Sequence, residues 1–247
     1  MSDFSLSRRV ALVTGANSGI GQAIAVAMAG AGAEVICAGR SDPGETLNRI
    51  AAAGGRGRKL TLDLTGPVAG LDVFGQTGPV DILVNNAGMI RRAEALEFTE
   101  ADWDAVMDVN LKAMFFLCQA FARAAFAREA GGAIVNVASL LSLQGGIRVA
   151  SYTAAKHGVA GITKLLANEW AGRGINVNAI APGYVETNNT EALRADPQRS
   201  KAILDRIPAG RWGAPDDIAG AAVFLASPAA RYVHGTVLCV DGGWLAR

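Results

Sequence analysis

Short apolar runs alternate with longer stretches of helical periodicity along most of the chain. Runs of four to six residues that are rich in Val, Ile, Leu and Ala are typical of buried strands. In the stretches between them, apolar residues recur three and four positions apart, as they do in helices. The predicted strands are 10–14, 34–38, 59–62, 81–84, 133–138, 175–180 and 236–240, and the clearest helices are 19–32, 100–127 and 151–172.

Continuous apolar strands that alternate with helices imply a parallel sheet covered on both faces. We therefore expect an α/β fold: a single doubly wound, Rossmann-type three-layer sandwich with a mostly parallel seven-stranded sheet, formed by residues 1–247 as one domain. Thr99, three residues before Asp102, predicts the start of the second helix. Residues 64–81 leave room for only a short helix. The long segment 187–215 is interpreted as a substrate lid, with a solvated pair of helices as the alternative.

Composition and charge narrow the classes of partner. The 247 residues are 51% hydrophobic and carry a formal net charge of +1, so nothing favours nucleic acid or an anionic membrane. Cys37, Cys118 and Cys239 are far apart in apolar runs and are interpreted as buried thiols of a reducing compartment. No segment is expected to have the length to span a membrane, no cluster has the spacing of metal ligands, and a cytoplasmic protein is predicted.

A glycine-rich turn follows the first strand. In "TGANSGIG", Gly15, Gly19 and Gly21 precede the first helix. Glycines allow phosphate oxygens to approach the backbone, and a helix N-terminus offers N–H donors and a favourable dipole. The spacing differs from GxGxxG, but the position in an α/β chain favours a dinucleotide.

The end of the second strand bears on which dinucleotide is bound. In "CAGRSD", Arg40 and Ser41 suit the 2′-phosphate of NADP, whereas Asp42 suits the ribose hydroxyls of NAD. An arginine can also simply stack on adenine. The local chemistry leans slightly to NADP.

Tyr152 and Lys156 lie four residues apart on a predicted helix and share a face. A surface lysine beside a half-buried tyrosine is the commoner case on helices. The alternative is a tyrosine whose proton is made labile by the neighbouring cation. The pair alone does not decide between them.

Several motifs occur together and in order: "TGANSGIG", "NNAG" at 85–88, Asn110, Ser139, "YTAAK" at 152–156 and "PGYVET" at 182–187. In these motifs the chain resembles the short-chain dehydrogenase/reductase family. The resemblance implies that Tyr152 moves the hydroxyl proton and that Lys156 favours the phenolate and binds the nicotinamide ribose. It implies that Ser139 orients the substrate oxygen and that Asn110 holds a water leading from Lys156 to solvent.

The resemblance also implies a cofactor site and a homotetramer. On the cofactor, the most similar branch of the family narrowly favours NAD over NADP, against the local reading of Arg40. The implied cofactor-binding residues are Gly15, Asn17, Ser18, Gly19, Ile20, Gly21, Arg40, Ser41, Asp63, Leu64, Asn86, Ala87, Gly88, Tyr152, Lys156, Pro182, Gly183, Val185 and Thr187.

The same branch implies that the protein interconverts a hydroxyl and a keto group on a deoxy sugar acid. A carboxylate suits an arginine fork and hydroxyls suit amide side chains. We expect Arg148 to bind the carboxylate, with Arg91 or Arg92 next, while Gln144 binds a hydroxyl and Ser139 the reacting oxygen. The alternatives are a reductase of a related keto-uronate or 3-oxoacyl thioester, and a non-catalytic cofactor-binding sensor. Arg148 and Gln144 argue against a thioester, and the intact Tyr–Lys pair argues against a sensor.

Overall fold

A computed structural model describes residues 3–66 and 72–246. In these ranges the strands are β1 (Val10–Thr14), β2 (Glu34–Gly39), β3 (Arg56–Thr61), β4 (Ile82–Asn85), β5 (Gly132–Val137), β6 (Ile175–Pro182) and β7 (Val237–Val240). They form one sheet in the order β3-β2-β1-β4-β5-β6-β7, and every neighbouring pair is parallel. This confirms the α/β, Rossmann-type prediction, and the sheet is wholly parallel.

Helices cover both faces of the sheet. The helices are α1 (Gly19–Gly30), α2 (Gly44–Ala52), α3 (Val73–Thr77), α4 (Glu100–Met107), α5 (Ala113–Ala127), α6 (Ala150–Trp170), α7 (Glu191–Ala195), α8 (Pro197–Leu204) and α9 (Pro215–Ala226). Successive residues of β1 face opposite layers: Leu12 packs on the side of α5 and α6, while Ala11 and Val13 pack on the side of α1 and α9.

Two predicted segments differ in detail. Strand β3 begins at Arg56, earlier than the predicted residue 59, because Arg56 already pairs with Glu34. The start of β3 carries a polar, exposed pattern typical of an edge strand, which hydropathy does not detect. The predicted 100–127 helix is present and is capped by Thr99, whose hydroxyl accepts from the Asp102 N–H at 3.2 Å. A π-helical turn, Asp108–Lys112, interrupts it between α4 and α5.

Two expectations from composition need correction. The helical stretch Glu100–Ala127 is long and apolar enough to cross a membrane by length and composition alone, although half of its most apolar window is buried inside the protein. Its apolar character comes from packing against the sheet, so it is weak evidence for a membrane span. Cys37 and Cys118 are buried as expected, but Cys239 is exposed; it lies on β7, the last strand in the order of the sheet.

Candidate active site

The carboxyl ends of β1, β4, β5 and β6 open into a cavity of about 440 Å³. It lies at the point where the strand order reverses beside β1, the usual ligand position in such sheets. Most of the sequence-predicted site residues line it, namely Gly15, Asn17, Ser18, Gly19, Ile20, Gly21, Asn86, Ala87, Gly88, Arg92, Ser139, Gln144, Tyr152, Lys156, Pro182, Gly183, Val185 and Thr187.

The turn between β1 and α1 has the geometry of a phosphate cradle. Gly15 and Gly19 adopt positive φ angles of 66° and 55°. A Cβ on Gly21 would overlap the Gly15 carbonyl oxygen and the Asn86 side-chain amide. The first N–H groups of α1 have no partner within the helix, and the Ser18 side chain does not cap them. The residues present therefore fit a dinucleotide pyrophosphate, which would accept these donors.

Hydrogen bonds of Thr14 and Asn86 stabilise the turn between β1 and α1. The buried Thr14 hydroxyl accepts from the backbone N–H groups of Asn86 and Ala87, both at 3.0 Å. The Asn86 amide donates to the Thr14 carbonyl at 2.9 Å and the Gly15 carbonyl at 3.2 Å. The "NNAG" segment thus stabilises the glycine turn through hydrogen bonds.

Four predicted cofactor residues do not line the cavity; they lie just after β2 and β3. Arg40, Ser41 and Asp63 are exposed, and Leu64 is buried in the core. The Asp63 carboxylate accepts from the Thr65 N–H and hydroxyl, which lowers its pKa, and the Arg40 charge adds a smaller effect. Asp42 forms a 2.9 Å ion pair with Lys59.

The predicted catalytic side chains converge on the other end of the cavity. Tyr152 and Lys156 project from one face of α6, with the Lys156 Nζ 5.6 Å from the centre of the Tyr152 ring. Lys156 is buried and donates to the Val137 carbonyl at 2.6 Å. Ser139 follows β5 and begins the 3₁₀ turn Leu140–Ser142.

Burial dominates the electrostatics of this pair. It lowers the pKa of Lys156 to about 8 and raises the pKa of Tyr152. A hydrogen bond from Ser139 and the charge of Arg92 oppose the rise at Tyr152. Arg92 thus adds a positive charge near the phenol that the sequence reasoning did not foresee. The Lys156 ammonium is directed to the Val137 carbonyl, and its expected effect on the phenolate stays a prediction.

Asn110 sits in the π turn and is buried. Its side chain accepts from the Met89 N–H and donates to the Met89 carbonyl, both at 2.8 Å. These two bonds fix the loop that follows β4, against which the cavity is built. The water-holding role expected of Asn110 stays a prediction.

The three predicted arginines have different environments. Arg148 pairs with Glu94 at 3.1 Å, and Arg91 pairs with Asp102 at 3.2 Å; neither lines the cavity. Arg92 does line it, and donates to the Asn189 carbonyl at 2.9 Å. The structure thus brings only Arg92 of the three to the cavity.

The known proteins that this chain resembles agree on one family. A family model described as enoyl-(acyl carrier protein) reductase matches residues 15–245. The 2-dehydro-3-deoxy-D-gluconate 5-dehydrogenase of Escherichia coli (strain K12) is 56% identical over 251 residues, covering 100% of this chain and 99% of that protein. The chain belongs to the short-chain dehydrogenase/reductase family. It is accordingly an NAD(P)-dependent oxidoreductase that acts on CH–OH groups.

Two solved structures of this family bear on the cofactor. A protein from Agrobacterium tumefaciens, assigned as a 2-deoxy-D-gluconate 3-dehydrogenase, was solved with bound NADP; it is 68% identical, with a TM-score of 0.98 and full coverage of both chains. A protein from Beutenbergia cavernae, assigned as an NAD(P)-dependent gluconate 5-dehydrogenase and holding NADP at low occupancy, is 53% identical, with a TM-score of 0.96 and full coverage of both chains. The narrow preference for NAD therefore has no support.

Sequence reasoning missed some lining residues of this short-chain dehydrogenase/reductase. Tyr184, Leu193 and Arg199 all line the cavity. Tyr184 lies within "PGYVET", so its motif was a usable signal. Arg199 lies on α8 within the predicted lid, where nothing in the local sequence distinguishes it from the neighbouring arginines.

Proposed function

We propose that this enzyme interconverts a hydroxyl and a keto group on a deoxy sugar acid, either 2-dehydro-3-deoxy-D-gluconate or 2-deoxy-D-gluconate, with NADP. The proposal rests on the position of Arg92, which lines the cavity and whose charge opposes the rise in the Tyr152 pKa. An acid substrate that presents its carboxylate to Arg92 would place its hydroxyls toward Ser139 and Tyr152. The relatives described above act, by name, on such acids.

The bound nicotinamide would supply the hydride acceptor or donor. The chain's own residues manage the proton. Tyr152 would take the hydroxyl proton during oxidation and return it during reduction, while Ser139 donates to the same oxygen and orients it. Lys156, one turn away, would bind the nicotinamide ribose and favour the phenolate. Its neighbouring Val137 carbonyl holds the ammonium in place.

The carboxylate assignment moves from Arg148 to Arg92. The Arg148 guanidinium is engaged by Glu94, and a substrate would have to break that ion pair. Arg92 gives one hydrogen bond to Asn189 and retains other donors of its planar fork. Arg199 of α8 lines the same cavity and would add a second positive charge.

The residues that follow β2 support the use of NADP. Arg40 is exposed, and apart from the small effect of its charge on Asp63 no interaction engages its guanidinium within the described residues, 3–66 and 72–246. The Asp42 carboxylate, which would otherwise suit ribose hydroxyls, is engaged by Lys59. A 2′-phosphate bound after β2 would therefore lie near the positive charge of Arg40.

The segment 187–215 would serve as the lid. Thr187, Asn188, Asn189, Thr190, Leu193 and Arg199 line the cavity. The Arg92–Asn189 hydrogen bond links this segment to the loop after β4. A homotetramer and a cytoplasmic location remain predictions, and light scattering of the purified protein tests the first.

An absorbance assay with each sugar acid and each cofactor tests the function. Arg92→Gln is expected to raise the KM for the sugar acid about tenfold or more, since a charge-assisted bond contributes about 1.5–3 kcal/mol. Arg91→Gln is the matched control, because Arg91 is the adjacent residue and pairs with Asp102 outside the cavity. Wild-type protein that binds cofactor but turns over neither acid would refute the proposal.

A further inference from the structure

The C-terminal turn of the chain packs beside the active site. Trp244, in the 3₁₀ turn Trp244–Ala246, is buried in a small apolar cluster with Leu140, Ile203 and Ile207. The Tyr184 ring lies 4.7 Å from it, centre to centre. The Arg206 guanidinium stacks on the Trp244 ring at 4.0 Å. The indole is thus held firmly between the lid and the loop after β5.

The Trp244 side chain also makes a hydrogen bond to a residue of the cavity lining. The Trp244 Nε1–H donates to the Gln144 Oε1 at 3.2 Å. An indole nitrogen is only a donor, so it must meet the oxygen of the amide and never its nitrogen. The contact therefore fixes which way the Gln144 amide faces.

Gln144 itself lines the cavity. With its oxygen committed to Trp244, the end left for the cavity is the amide N–H₂. This nitrogen makes no hydrogen bond within the described residues. A rotated amide would instead offer an acceptor, which repels carboxylate and keto oxygens.

We propose that Trp244 is a positioning residue for substrate recognition, which holds Gln144 so that its amide donates to an acceptor oxygen of the sugar acid. The inference rests on the proposed function and deepens it. The sequence suggested a hydroxyl as the partner of Gln144, but a carboxylate oxygen, which only accepts, matches a fixed donor better. Arg92 and Gln144 would then bind one carboxylate from two directions.

Trp244→Phe tests the proposal because it keeps an aromatic ring in the cluster and removes the N–H. The KM for the sugar acid is expected to rise about threefold to tenfold, the usual effect of one neutral hydrogen bond. The kcat and the KM for NADP are expected to stay within about twofold, since neither depends on Gln144. A purely structural role would instead lower kcat and raise both KM values together.

Trp212→Phe is the matched control. Trp212 contacts the same Tyr184 ring, at 5.6 Å, yet makes no hydrogen bond to Gln144 and does not line the cavity. This variant is expected to keep the wild-type KM for the sugar acid. In a Gln144→Ala background, Trp244→Phe is expected to add nothing further. An unchanged KM in Trp244→Phe, or the same increase with Gln144 absent, would overturn the inference.

Gln144→Glu provides an independent test should Trp244→Phe not fold. Glutamate accepts the same indole N–H but has no N–H to offer, so the KM for the sugar acid must rise at least as far. A wild-type KM in this variant also overturns the inference. Inactivity of the wild-type enzyme, by contrast, refutes the proposed function and the inference with it.

Discussion

Lys156 is a buried cation whose cost to the folded protein can be measured without any substrate. Only 5% of the residue is exposed, and burial lowers its pKa from 10.5 to about 8. Methionine has a similar shape and no charge. Lys156→Met therefore removes the titration and leaves the packing of α6 against β5 nearly unchanged.

The expected magnitude follows from the two pKa values. Between pH 8 and pH 10.5 the unfolded chain binds more protons at this residue than the folded chain, so the wild-type protein gains stability as the pH rises. The full penalty, present below pH 8, is about 3 kcal/mol at about 1.4 kcal/mol per pK unit. From pH 7 to pH 9 the wild-type protein is expected to recover about 1 kcal/mol of this penalty, while Lys156→Met recovers none.

Urea denaturation at a fixed protein concentration, in the absence of cofactor, measures the difference in free energy of unfolding between the two proteins. At any single pH the difference also contains the lost hydrogen bond to the Val137 carbonyl. That contribution is constant, so the change between pH 7 and pH 9 isolates the lysine. Tyr152 titrates above this window, because its pKa is raised from 10.0.

Lys201→Met is the control, because the Lys201 side chain is 76% exposed in a surface pair with Asp205. Its difference from wild type is expected to stay flat between pH 7 and pH 9. A flat difference for Lys156→Met as well would show that the ammonium is solvated in the folded protein, and the reasoning from burial would be wrong.

Two further predictions concern the glycine turn. Thr14→Val leaves the partly buried N–H groups of Asn86 and Ala87 without their acceptor and is expected to lower the free energy of unfolding in urea denaturation by about 2 kcal/mol, most of which Thr14→Ser restores. Equal stability of the Thr14→Val and Thr14→Ser variants would contradict this. Gly21→Ala places a Cβ against the Gly15 carbonyl and is expected to weaken NADP binding about tenfold or more in a fluorescence titration. Gly30→Ala, in the same helix with open space around it, should bind normally, and equal affinity of both variants would refute the steric argument.

The strands and the glycine turn were predictable because local patterns determine them. Hydropathy marks a buried strand, and a turn that needs positive φ at Gly15 and Gly19 shows itself by glycine. Even so, hydropathy placed the start of the polar edge strand β3 too late.

The arginines show where sequence reasoning ends. Arg91, Arg92 and Arg148 have the same chemistry, and what separates them is the presence of Asp102 or Glu94 nearby in the fold. The Gln144–Trp244 hydrogen bond likewise joins residues that are 100 positions apart. Such pairings depend on tertiary structure, so spacing within one motif cannot predict them.

The π turn at Asp108–Lys112 amounts to one extra residue accommodated within a helix. Each residue of an α-helix advances by about 100°, so removing one residue here would let the helix continue regularly while rotating Asn110 away from Met89. The two amide bonds that fix the loop after β4 would then be lost. This stretch is therefore expected to tolerate substitutions on its exposed face but not a change in length, and a single-codon deletion should damage the active site while leaving the helix intact.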